Sequence, residues 1–177
     1  MTAGRPDARA QRKAHTAYHE AGHAVAGYLL GRDFLSVSIT TEGNSAGRCN
    51  FIARPDTFDP WNRDLATRRW LEIEVITDLA GGIAERMATG FDNLAGMEGD
   101  VYSALDTVTF VTSNKKQRLA YLARAEARAE LILRQHWGAV QALAEALLRL
   151  GELEYAEARP IIESSRAVEP PFSTPSS

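Results

Sequence analysis

Residues Tyr18 to Val25 read Tyr-His-Glu-Ala-Gly-His-Ala-Val, inside a helical pattern that runs from Lys13 to Leu30 and stops at Gly31. His19 and His23 stand four residues apart, so on a helix their side chains share one face. Two imidazoles placed this way can converge on one metal ion at about 2.0–2.1 Å each. Glu20 is turned aside from that row, where a carboxylate can take a proton from water and return it to a leaving group. Two histidines that merely satisfy each other in the core are the bland alternative. A chance HExxH is expected in roughly one of a few hundred chains of this length, and the small residues Ala21 and Gly22 between the histidines favour the metal.

A catalytic zinc needs a third protein ligand and one open position. An extended three-histidine motif is excluded, because Ala26 and Leu29 stand where it needs Gly and His. Glu42 has the sequence spacing of some glutamate ligands, but it falls between an expected strand and Gly43 rather than on a helix. Glu85 and Asp78, on a later helical stretch, carry no motif of their own, and Asp100 completes the candidates.

Outward from the motif, Phe34 to Thr41 alternates apolar and polar residues with Leu35, Val37 and Ile39 on one face, the pattern of a half-buried strand. A turn over Gly43–Gly47 leads to a second short strand near Arg48 to Ala53, and a loop carries Pro55 and Pro60. Helical patterns follow over Trp61–Thr89, Asp100–Thr112, Lys115–Gln135 and Ala139–Leu150, with a last one over Tyr155–Ser164 interrupted by Pro160. The expected fold is mostly α with one small β-sheet. Residues 1–12 read as a flexible leader, 13–166 as one domain, and 167–177 as a disordered Pro/Ser-rich tail.

Composition bounds the function. The 177 residues are 45% hydrophobic and 24% charged with a net charge of -3, which is globular and argues against a nucleic-acid binder. No apolar run is long enough to insert in a membrane, and no signal peptide is visible. The single Cys49 forms no intrachain disulfide, so a cytoplasmic location is expected. Cys49 itself reads as a buried small side chain. His15 reads as a solvated residue on the first turn, with a place behind the metal ligands as the alternative, His136 as structural, and Lys115, Lys116 and Arg118 as a solvated basic face.

Beyond the residues taken singly, the chain resembles the peptidase domain of the FtsH-type zinc metallopeptidases, the ATP-dependent proteases of bacterial and organellar membranes. Tyr18 to Gly27 is similar to the family's active-site helix, and Val37 to Phe51 to its strand and loop beside the cleft. Leu79 to Glu85 (L-A-G-G-I-A-E) is similar to L-G-G-R-A-A-E, Gly96 to Ala104 (G-M-E-G-D-V-Y-S-A) to G-A-x-N-D-L-x-x-A, and Leu133 to Ile162 to the closing helical hairpin. The resemblance implies that Asp100 is the third zinc ligand beside His19 and His23. The chain departs from the family pattern at Gly99, where asparagine is usual, and at Arg48-Cys49, where an aromatic-threonine pair is common. Neither membrane helices nor an ATPase phosphate loop occurs in the sequence.

The resulting expectation is a zinc metalloendopeptidase, with Zn2+ on His19, His23 and Asp100 and with Glu20 as general base and acid. Its substrates would be peptides or unfolded protein segments, since it has no ATPase of its own. An extended substrate would add to the sheet edge near Ser36 to Thr41. A separate ATPase or adaptor and a homo-oligomer are possible partners; nucleic acid and membrane insertion are not expected. The alternatives are a non-hydrolytic binding or regulatory module and a narrow-specificity protease of one regulatory protein.

Overall fold

A computed structural model describes residues 7–40 and 47–165 of the chain. The elements follow in the order α1 (Ala8–Leu30), β1 (Phe34–Ser38), β2 (Arg48–Phe51), α2 (Leu65–Thr89), α3 (Leu94–Thr109), α4 (Lys115–Gln135), α5 (Trp137–Leu150), β3 (Glu152–Glu154) and α6 (Tyr155–Ser164). The fold is therefore mostly helical with one small antiparallel sheet, as the patterning implies.

Helix α1 lies at the centre, packed on α2 along one side and α5 along another. The α1–α2 contact is close because small residues line it: a Cβ added at Gly22 would lie 2.5 Å from Ala84 Cβ and 2.7 Å from the Ala80 carbonyl oxygen. On the α5 side Trp137 is fully buried and stacks on Tyr18 at 5.8 Å between ring centroids. Ala17, Ala21, Ala24 and Val25 are fully buried along α1, so the metal-motif helix is itself the spine of the core.

Several element bounds differ from the sequence pattern, each for a local reason. Helix α1 starts at Ala8 rather than Lys13, because the Asp7 side chain accepts from the Arg9 N–H and caps the helix earlier. Helix α2 starts at Leu65 rather than Trp61, with Asp64 accepting from the Thr67 N–H at 2.7 Å. Helix α3 starts at Leu94 rather than Asp100, capped by Asn93, and carries Gly96 and Gly99 within it. Pro160 sits inside α6 without interrupting it. The expected turn over Gly43–Gly47 and the tail 167–177 lie outside the described residues, except for Gly47.

The sheet order is β2-β1-β3, with both pairings antiparallel. Val37 faces Cys49 on one side and Leu153 on the other. Strand β1 is thus hydrogen-bonded along both edges, and it cannot accept an extended substrate as expected from the sequence. Among the described residues, the outer edges of the sheet belong to β2 and β3. A register shift between Phe34 and Ser36 turns Leu35 outward, 60% exposed, while Phe34 is buried.

Candidate metal centre

His19 and His23 leave α1 on the face toward α2 and α3, and both are buried. Asp100, on the second turn of α3, meets them. His19 Nε2 lies 2.8 Å and His23 Nε2 3.3 Å from Asp100 Oδ2, and the two Nε2 atoms are 3.1 Å apart. These three are the group among the described residues whose ligand atoms converge as a metal site requires, all within 4.8 Å of one another.

The chemistry of the donor set fits a divalent cation. His23 Nδ1 donates to the Thr77 carbonyl oxygen at 2.8 Å, and His19 Nδ1 lies 3.2 Å from Glu85 Oε2. With each Nδ1 carrying the proton toward its acceptor, each Nε2 presents a lone pair to the same point. Two imidazole nitrogens and a carboxylate oxygen at 2.8–3.3 Å are placed to share either a proton or a divalent cation. Ligands on a tetrahedral zinc would stand about 3.3 Å apart at the usual bond lengths.

Without a metal, protons take the cation's place among these groups. Burial opposes charge on His19, but the Asp100 and Glu85 carboxylates outweigh it and push the imidazole up to about 10. Burial also works against ionised Asp100, yet hydrogen bonds from His19 and His23 hold it well below the usual carboxylate range. Glu20 is pushed up by burial, partly offset by His23 and His19, and its carboxylate accepts from the Cys49 backbone N–H. A carboxyl raised toward neutrality beside a cation site is placed to exchange protons.

Glu85, one of the sequence candidates for a ligand, stands behind His19 instead. It is buried, and its other oxygen lies 3.1 Å from His15 Nδ1 and accepts from Asn93 Nδ2 at 2.9 Å. His15 is therefore bonded into this cluster rather than solvated. Asp78, the other candidate, accepts from Arg32 Nη1 at 3.0 Å and Ser103 Oγ at 2.7 Å. Glu42 lies outside the described residues. Cys49 is half-buried beside Glu20, and burial, with Glu20 adding to it, keeps its thiol protonated.

Around the three converging residues is a cleft of about 760 Å³, lined among others by Arg12, Glu20, Arg48, Cys49, Phe51 and Asp78. Glycines bring its walls close. A Cβ at Gly47 would lie 2.8 Å from Glu20 Oε1, and one at Gly81 would lie 2.3 Å from His23 Nε2. Sequence reasoning missed the roles of Glu85, Thr77 and Asn93; only the G-G within Leu79–Glu85 hinted at α2's close approach.

Comparison with known proteins gives a consistent result. The model of peptidase family M41 matches residues 7–115. The chain is similar to the ATP-dependent zinc metalloprotease FtsH of Opitutus terrae, 36% identical over 101 residues, which cover 55% of this chain and 15% of that protein. It is also similar to the ATP-dependent zinc metalloprotease FtsH of Haemophilus influenzae, 32% identical over 94 residues, 51% of this chain and 14% of that one. The match thus spans about one-seventh of the length of these curated relatives.

Proposed function

Because the chain belongs to peptidase family M41, we propose that it is a zinc-dependent endopeptidase acting on peptides and unfolded protein segments. The observation that carries this reading is the convergence of His19 Nε2, His23 Nε2 and Asp100 Oδ2 with Glu20 alongside. His19, His23 and Asp100 hold the metal in this reading. A bound zinc supplies Lewis acidity, making water a nucleophile near neutral pH and polarising a carbonyl.

The residues of the chain do the rest. Glu20 takes the proton of the attacking water on its carboxylate and delivers it to the departing amine nitrogen. The Cys49 N–H holds that carboxylate in place, and the missing side chain of Gly47 leaves room for it. Glu85 and the Thr77 carbonyl fix the tautomer and orientation of the two histidines. With β1 paired on both sides, the outer edge of β2 beside the cleft is the place for an extended substrate to add.

Nothing in these steps consumes a nucleotide, so cleavage of unfolded chains proceeds without ATP. Folded domains are stable by roughly 5–15 kcal/mol and seldom offer an extended backbone to a cleft unaided. A separate ATPase or adaptor would then be needed for them, and a location in the cytoplasm is consistent with the absence, among the described residues, of any helix long and apolar enough to cross a membrane. The test is cleavage of reduced, unfolded casein by the zinc-loaded chain, with Glu20→Gln as control. Chelator-sensitive, nucleotide-independent cleavage that disappears in the variant while zinc stays bound supports the reading. A zinc-loaded chain that cuts no unfolded substrate but forms a defined complex with a partner favours a binding module instead.

A further inference from the structure

The described lining of the cleft holds four carboxylates and two arginines, and among the described residues only the arginine side chains are without a partner. Asp100 is bonded to His19 and His23, Glu85 to His15, His19 and Asn93, Asp78 to Arg32 and Ser103, and Glu20 to the Cys49 backbone. Arg12 and Arg48 also line the cleft, both exposed, and neither guanidinium has a hydrogen bond or ion pair among the described residues. Once a divalent cation offsets Asp100 and Glu85, and Arg32 with Arg54 offsets Asp78 and Glu74, only Glu20 stands against Arg12 and Arg48, so the described lining of the cleft keeps a small positive excess. The chain as a whole carries -3, so the local excess is not a consequence of overall composition. Charged walls around a low-dielectric cleft concentrate ligands of opposite sign.

We propose that Arg12 and Arg48 make this site selective for segments carrying acidic side chains close to the scissile bond. The proposal rests on the endopeptidase reading and names its substrate class. Arg48 precedes Cys49, whose N–H holds Glu20, so its backbone stands next to the residue that holds the general base. Arg12 lies on α1 seven residues before His19, about 10 Å along the helix axis. An extended substrate advances about 3.3 Å per residue, so that distance corresponds to about three residues of a bound chain. Acidic side chains within about three residues of the bond are therefore the ones in reach. An exposed pair of this kind contributes about two- to fivefold in selectivity, and less as salt rises.

The test incubates the zinc-loaded full chain with a library of unstructured peptides of known sequence and reads the cut positions by mass spectrometry. Asp and Glu should be enriched at least about threefold over Asn and Gln within four residues of the cut. Arg12→Gln and Arg48→Gln should each reduce that ratio, and Arg12→Glu with Arg48→Glu should turn it toward Lys and Arg. Both residues are exposed, and far-UV circular dichroism with zinc content shows that each variant is folded and loaded. Cutting with no acidic preference, or a preference that all the variants retain, overturns the proposal and leaves the endopeptidase reading intact. A zinc-loaded chain that cuts no peptide in the library overturns both.

Discussion

Glu85 Oε2 lies 3.2 Å from His19 Nδ1, while its Oε1 is bonded to His15 and Asn93. The carboxylate on α2 therefore orients a histidine on α1 and is itself held from two directions. Burial works against its ionisation, but the bonds from His19 and Asn93 keep it below its ordinary value. Outer partners of this kind are worth about 10–100-fold in metal affinity. Glu85→Ala should weaken zinc binding by that order, measured by competition with a chromophoric chelator, and Glu85→Gln should lose less. Unchanged affinity in Glu85→Ala would show that His19 needs no support from α2.

Gly81 gives a steric test of the same site. Its missing Cβ leaves the space that the His23 ring fills, 2.3 Å from where the Cβ would stand. Gly81→Ala should displace the imidazole and lower zinc affinity more than it lowers the melting temperature. Gly22→Ala meets the Ala80 backbone and Ala84 instead. It should cost about 1–3 kcal/mol of stability, as overpacking does. Thermal unfolding of the two chelated variants separates the effects.

Proton linkage makes a third prediction. His19 binds its proton up to about 10 in the metal-free protein because the Asp100 and Glu85 carboxylates outweigh the burial that would depress it. Its contribution to stability is then fully present below the unfolded value of about 6.5 and is lost as pH rises toward about 10. Asp100 is held low, so its contribution is present above about 3.9 and lost as pH falls through and below that value. Zinc must displace the His19 proton, so uptake at pH 7 should release about one proton or more. Calorimetry in buffers of different ionisation enthalpy measures that number; no release would contradict the assignment of His19 as a ligand.

Away from the metal, Arg32 neutralises two carboxylates on α2. Its Nη1 donates to Asp78 Oδ1 at 3.0 Å and its Nη2 lies 3.5 Å from Glu74 Oε1, with the guanidinium 4.1 Å from the centre of the Phe51 ring. Arg54 also pairs with Glu74. Arg32→Ala leaves Asp78 largely buried, with Ser103 as its remaining side-chain partner among the described residues. The expected loss is about 3–5 kcal/mol, or roughly a 10 °C drop in melting temperature at this chain length. Asp78→Asn together with Arg32→Ala should recover part of it.

How much of this was readable before the structure varies by residue. His19, Glu20 and His23 are separated by less than two helical turns, so spacing alone places them together. Asp100 is far along the chain from them, and only the family resemblance pointed to it. The α3 start was hidden because Gly90 to Gly99 reads as loop by composition, while Asn93 capping the Gly96 N–H makes it helix. Strand β3 is three residues long, too short for any alternation, and it forms because β1 offers an open edge to it. Leu35 was assigned to the buried face because a bulge is invisible to strict alternation. Glu85 was visible as an acid but not as a support for His19, since contact across 66 positions leaves no local pattern.

The central claim is that one zinc ion is held by His19, His23 and Asp100. Anomalous diffraction from zinc-loaded crystals, collected on both sides of the zinc absorption edge, tests it without reference to activity. The account predicts a single strong peak about 2.0–2.2 Å from His19 Nε2, His23 Nε2 and one Asp100 carboxylate oxygen. A peak bound by Glu85 or Glu42 in place of Asp100, or no peak between the two histidines at full zinc loading, would contradict it.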